Sequence, residues 1–145
     1  MIQRIQSLFL LLAATSYVAL FFLPIATTKT PFGDILADGI FYTTEHSWLT
    51  AFAALATVVI LVTIFLYNNR PLQLKMCLLS TLFSAAWLLT ALYQIVLLDQ
   101  SGGEERFVNH SISFFAFIAG IFFTAAAFYN IKQDENTVRS MDSLR

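Results

Sequence analysis

Charged residues are scarce in this chain, and its four longest apolar runs contain none. The 145 residues are 58% hydrophobic and 12% charged, whereas a soluble domain has about twice that charged fraction. The runs are Ser7–Ile25, Trp48–Tyr67, Met76–Leu98 and Ile112–Tyr129. Each approaches the roughly 20 helical residues that cross a hydrocarbon core of about 30 Å. We therefore predict an all-α membrane protein, with one domain over residues 1–145 that forms an antiparallel bundle of four transmembrane helices.

Several functional classes are disfavoured by what the chain lacks. Cys77 is the only cysteine, so an internal disulfide or a thiol-rich metal or redox site cannot form. A net charge of −1 gives no reason to expect nucleic-acid binding. Ionisable residues inside a membrane usually mark ion or substrate paths. Their absence from the four runs argues against a proton-coupled pump, a voltage sensor or an ion-selective pore.

The first run has a basic residue, Arg4, before it and so has the outline of a signal peptide. However, Ser7–Ile25 is longer than the usual signal core of about 7–15 residues, and no A-x-A-like cleavage site follows it. We therefore interpret it as a retained helix, with Pro24 ending or bending it near the membrane surface.

Lysine and arginine are distributed unevenly between the two sides of the predicted bundle. Six of the eight lie in the termini or in the connection between runs two and three: Arg4, Arg70, Lys75, Lys132, Arg139 and Arg145. Only Lys29 and Arg106 lie in the other two loops. Because basic residues concentrate on the cytoplasmic side, both termini are predicted to be cytoplasmic.

Small and polar residues predict how the helices pack. Helices in lipid gain little from hydrophobicity, so close approach at small residues and interhelical hydrogen bonds matter more. A small-residue stripe recurs every four positions at Ala116, Gly120 and Thr124, and a shorter one at Ser80 and Ser84. Gln94, the most polar residue deep in a run, is predicted to be an interhelical hydrogen-bond partner. The stripes favour packing within the bundle, with a dimer seam or a docking face for another membrane protein as the alternative.

The two outer loops hold the only cluster of acidic residues and histidines. It comprises Asp34, Asp38, Glu45, His46, Glu104, Glu105 and His110. Carboxylates and imidazoles can bind a divalent metal, but these residues do not have a recognised ligand spacing. We interpret them as solvated loops, and we predict no catalytic residue, cofactor or metal.

The tail, residues 130–145, has no proline or glycine and is predicted to continue the fourth helix out of the membrane. Its candidate docking residues are Asp134, Glu135, Val138, Arg139, Met141, Asp142, Leu144 and Arg145. Gln3, Arg4 and Gln6 start the first helix at the same end of the bundle. We expect these three to hold the tail, with Asp134, Glu135 or Asp142 as the acidic partner of Arg4.

Both ends also carry a family resemblance. The opening Met1–Ala13 and the closing Asp134-Glu-x-x-Val-Arg-Ser-x-Asp-x-Leu-Arg145 resemble small four-span inner-membrane proteins of Bacteroidota, a family of unknown function. The chain departs from the closing pattern at Thr137, where leucine is usual, and at Ser143, where arginine is usual. The resemblance implies a bacterial inner membrane but no reaction.

These observations favour a non-enzymatic accessory or assembly subunit of an inner-membrane protein complex. Its expected partners are the lipid bilayer and another membrane or cytoplasmic protein, with a second copy of the chain as a further candidate. The alternative is a small transporter or a lipid- or small-molecule-binding protein that uses a groove near Thr90, Tyr93 and Gln94. A third possibility, an enzyme, would require His46 and His110 to converge with the acidic residues.

Overall fold

Four helices dominate the computed structural model, which describes residues 2–27, 38–101, 109–110 and 112–142. The helices are α1 (Ile2–Ala19), α2 (Ser47–Phe65), α3 (Arg70–Ser101) and α4 (Ser113–Asp142). Three short strands, β1 (Pro24–Thr27), β2 (Ile40–Tyr42) and β3 (Asn109–His110), and a 3-10 turn at Thr43–Glu45 lie between them. The predicted all-α class is confirmed, and α4 includes most of the predicted tail.

Three of the four helices are long and apolar enough to cross a membrane. The qualifying segments are Ser47–Phe65, Arg70–Leu98 and Ser113–Val138. In α1 the apolar segment is shorter, Ile5–Ala19. The prediction of one helix through Ser7–Ile25 is therefore wrong at its end, because the helix stops at Ala19 and Pro24–Thr27 is a strand.

The described contacts pair the helices in an antiparallel manner. Helix α1 packs mainly against α4, and α2 mainly against α3. Near the start of α1, Gln6 contacts Asp134 at the far end of α4, while Tyr17 near its end contacts Thr124. These paired positions show that α1 and α4 run in opposite directions.

The connection between α2 and α3 contains the sequence Asn68-Asn69-Arg70-Pro71. Asn69 precedes α3, and its side-chain oxygen accepts a hydrogen bond from the Leu72 N–H at 3.3 Å. This is an N-cap, which satisfies one of the unpaired amides at a helix start. Pro71 lies in the first turn of α3, where its missing N–H costs no helical hydrogen bond.

The strands form a small sheet beside the end of α1. Its order is β2-β1-β3, and both pairings are antiparallel. Ile25 and Phe41 are fully buried within it. The Thr43 hydroxyl donates to the Leu20 carbonyl at 2.7 Å, and the Ser113 hydroxyl to the Leu23 carbonyl at 2.8 Å. Side chains from other elements thus satisfy carbonyls beyond the end of α1, which have no helical partner.

Candidate docking and packing sites

The start of α1 and the extension of α4 are joined by a buried glutamine. The side-chain Nε2 of Gln6 donates to Asp134 Oδ2 at 2.6 Å and to the Asn130 carbonyl at 3.3 Å. Gln6 is only 5% exposed, and Ile131, between its two partners, is fully buried. A hydrogen bond to a charged acceptor is stronger than a neutral one. The first turns of the α4 extension are therefore fixed against α1.

The other predicted docking residues are described less completely. Glu135 is partly buried and Val138 is 38% exposed. The side chains of Gln3, Arg4, Arg139, Met141 and Asp142 lie outside the described part of the structure, as do Leu144 and Arg145 altogether. The expected pairing of Arg4 with an acidic residue therefore stays a prediction. Among the described side chains, the one that holds Asp134 is Gln6.

The small-residue stripe of α4 receives a tyrosine from α1. A methyl group added at Gly120 would lie 2.6 Å from Tyr17 Cε1 and 2.9 Å from Cδ1. The Tyr17 hydroxyl lies 3.2 Å from Thr124 Oγ1, and Thr124 itself donates to the Gly120 carbonyl. Gly120 is therefore a contact position whose missing side chain makes room for the ring. The third member of the stripe, Ala116, is partly buried.

The two serines of α3 have different roles. Ser80 is fully buried and donates to the Ala56 carbonyl of α2 at 3.0 Å. Ser84 donates to the Thr81 carbonyl of its own helix at 2.9 Å. A second interhelical bond joins Gln73 Nε2 to the Thr63 carbonyl at 3.1 Å. Of the predicted pair, Ser80 therefore bonds to a neighbouring helix, whereas Ser84 bonds within its own helix.

Gln94 bonds to a histidine that the sequence placed in the outer cluster. Its Nε2 lies 2.7 Å from His46 Nε2, and His46 is outside the helices, so the predicted bond from Gln94 to another helix stays a prediction. His46 directly precedes α2, and its Nδ1 is buried with no partner in the described structure. Because a donor and an acceptor must meet, the contact requires either a neutral imidazole that accepts or a turned amide.

The outer acidic residues do not assemble into a metal centre in the described part of the chain. No group of three or more His, Cys, Asp or Glu side chains converges there. Asp34, Glu104 and Glu105 lie outside the described residues, as does the side chain of His110. Burial raises the pKa of Glu45, a backbone hydrogen bond at Tyr42 opposes this shift, and the charge of Asp38 adds to it.

One buried polar group was not indicated by the sequence. Trp87 is fully buried, and its indole N–H has no hydrogen-bond partner among the described residues. Its ring stacks on Phe117 at 5.7 Å between centroids and lies 6.4 Å from Phe114. An unpaired buried donor costs about 1–3 kcal/mol, so aromatic packing at the α3–α4 contact has to offset that cost.

Comparison with known protein families supports one part of the resemblance, a family of unknown function. The family described as "Domain of unknown function (DUF4293)" matches residues 2–144. The chain belongs to this family. No match was found among curated proteins or among solved structures. Membership in the DUF4293 family therefore supplies a relationship over nearly the whole chain, while its description assigns no activity.

Proposed function

We propose that this member of the DUF4293 family is a non-enzymatic accessory or assembly subunit of a bacterial inner-membrane protein complex. In this proposal both termini are cytoplasmic, as the distribution of Lys and Arg predicts. The observation that carries it is the extension of α4. The helix continues without a break from Tyr129, the last residue of its charge-free run, to Asp142, and Gln6 fixes the first turns of this extension.

The face that packs on α1 continues along this extension. Ile131 is buried against the rest of the protein, and Val138 follows seven residues later, two helical turns along the same face. Val138 is 38% exposed. A rigid helix that presents an apolar residue beyond its own packing contact is suited to docking in a partner's groove.

The proposal also includes four membrane crossings. The apolar part of α1, Ile5–Ala19, rises about 22 Å, short of a core of about 30 Å. The turn after it and strand β1 supply the remaining length. Non-helical backbone at membrane depth is tolerated only where protein covers it, and Leu20, Ile25 and Ala26 are at most 1% exposed. The buried strand residues, together with the Leu20 and Leu23 carbonyls that accept from Thr43 and Ser113, support a first crossing that is only partly helical.

The ligand-binding alternative near Gln94 receives less support. Gln94 is bonded to His46, and the Thr90 hydroxyl donates to the Ala86 carbonyl of its own helix. Tyr93 is 61% exposed. With the amide and one hydroxyl already bonded within the protein, these residues do not favour a polar ligand, and docking is the preferred proposal.

Copurification with single charged substitutions tests the docking proposal. We expect the tagged chain, expressed at its native level in mild detergent, to retain a stoichiometric partner protein that Val138→Asp loses. The same partner should be lost when residues 133–145 are deleted. Thr137→Asp is the matched control, because Thr137 is exposed and lies off the packing face. Retention of the partner by Val138→Asp, or equal loss in both variants, would contradict docking through this face.

A further inference from the structure

An apolar groove lies between α3 and α4 where both helices are of membrane-spanning length. Its volume is about 180 Å³, and its walls include Cys77, Leu78 and Thr81 on α3 and Ile121, Ala125 and Phe128 on α4. Leu78 is 54% exposed, so the groove opens outward. From Ile121 to Phe128 it extends about 10 Å along the helix axis. That is about two thirds of the hydrocarbon depth of one leaflet, about 15 Å.

Two lysines flank one end of this groove. Lys132 follows Phe128 by four residues on α4, and Lys75 precedes Leu78 by three on α3, so each lies one turn from a groove residue. Cys77 and Phe128 line the same groove, and α3 and α4 are antiparallel. Lys75 and Lys132 therefore lie at the same end of the helix pair. Both lysines are exposed. At this end of the pair, each lysine is the first charged residue beyond the charge-free run of its helix.

Neutral hydrogen-bond donors accompany Lys132 on α4. Tyr129, Gln133 and Asn136 line a shallow depression with it, at the i, i+3, i+4 and i+7 spacing of one helix face. A hydroxyl, two amides and an ammonium group can all donate to phosphate oxygens. Asp134 and Glu135 follow Lys132 by two and three residues, and the Asp134 carboxylate accepts a hydrogen bond from Gln6 on the α1 side.

We propose that this groove binds one anionic phospholipid, with an acyl chain between α3 and α4 and the phosphate on Lys132 and Lys75. The apolar walls match hydrocarbon, and the cations at the mouth match a negative headgroup. Basic pockets between transmembrane helices bind anionic headgroups in this way. The site is distinct from the docking face, because it lies between α3 and α4 whereas Val138 continues the α1-facing side.

Native mass spectrometry tests the headgroup. The full chain is equilibrated in mixed micelles with equal amounts of phosphatidylglycerol and phosphatidylcholine, and the bound lipid is counted. We expect one phosphatidylglycerol in preference to phosphatidylcholine. A lysine near the membrane surface contributes about fivefold in affinity, so Lys132→Gln and Lys75→Gln should each reduce retention by about that factor. Arg139→Gln, which removes the same charge about 10 Å further along α4, is the control and should retain the lipid.

A second pair of variants tests the groove itself. Ala125→Phe fills the groove and should abolish retention, whereas Ala51→Phe, at an exposed position on α2, should not. All variants should keep the wild-type thermal transition. Equal retention of the two lipids by the wild type would overturn the proposal, as would equal losses in Lys132→Gln and Arg139→Gln. A stable dimer that excludes lipid until Ala125→Phe separates it would also overturn it, since a second copy would then occupy the groove.

Discussion

Replacing Gly120 with alanine should destabilise this protein, although alanine is the better helix former. The added Cβ would lie 2.6 Å from Tyr17 Cε1, whereas carbon atoms pack at about 3.5–4.0 Å. Either the ring or α1 must therefore move by about 1 Å. Tyr17 is fully buried, so the ring cannot move out into free space. Overpacking of this kind costs about 1–3 kcal/mol, and alanine returns about 1 kcal/mol in helix propensity. We expect a net loss of about 1 kcal/mol.

In the Tyr17→Leu background, Gly120→Ala should instead raise the free energy of unfolding. Tyr17→Leu removes Cε1 and the hydroxyl that meets Thr124. The leucine Cδ atoms are not held in a planar ring and can turn away from position 120, so Gly120→Ala then keeps its propensity gain and should stabilise by about 1 kcal/mol. The coupling between the two positions is then about 2 kcal/mol, well within the range for residues in contact. The free energy of unfolding is measured by circular dichroism during titration with dodecyl sulfate in mixed micelles.

A reversed sign of the stability change would show that the effect of Gly120→Ala comes from the Tyr17 contact and not from the substitution in general. If Gly120→Ala changes the free energy of unfolding by the same amount in both backgrounds, the close approach of α1 and α4 at Tyr17 is wrong. The Tyr17→Leu single variant supplies the reference and should itself be less stable than the wild type, because it leaves space beside Gly120.

The remaining predictions concern one hydrogen bond and one carboxyl group. Ser80→Ala should lower stability by about 0.6 kcal/mol, the average for interhelical bonds in a membrane protein, because Ser80 bonds to α2. Ser84→Ala, which loses a bond within its own helix, should change stability less in the same titration. The pKa of Glu45 is raised above its ordinary value of 4.5, so its contribution to stability is present below pH 4.5 and is lost as the pH rises through the folded pKa. Glu45→Gln should therefore be more stable than the wild type at neutral pH and should flatten this part of the stability profile. A steeper profile would contradict the shift.

The charge-free runs predicted the positions of three helices, because a long apolar segment without charge indicates a helix that is kept out of water. Trp48–Tyr67 corresponds to α2 within two residues at each end. Helix ends are less predictable: α3 begins at Arg70, six residues before its apolar run. A helix can begin with a polar turn before its apolar run, so the length of the apolar run does not predict where the helix begins.

The packing contacts were predictable in kind but not in detail. A stripe containing Gly120 predicts close approach of another helix, but it does not say which helix or which side chain approaches. Tyr17 carries no sign of that role in its own sequence neighbourhood. Similarly, the first and last helices were expected to meet through Arg4, whereas the described contact uses the neutral Gln6. The charge distribution predicted which end of the bundle the first and last helices share. Only the three-dimensional contacts identify the residue that joins them.

The end of α1 shows most clearly where the apolar pattern fails. Residues 20–25 are as hydrophobic as the helix before them, so apolar composition does not separate the two segments. What distinguishes them is the source of their hydrogen bonds. The Leu20 carbonyl is satisfied by Thr43 and the Leu23 carbonyl by Ser113, residues 23 and 90 positions away in sequence. A helix can end inside an apolar run when distant hydroxyls replace its missing partners, and a local pattern carries no record of such distant contacts.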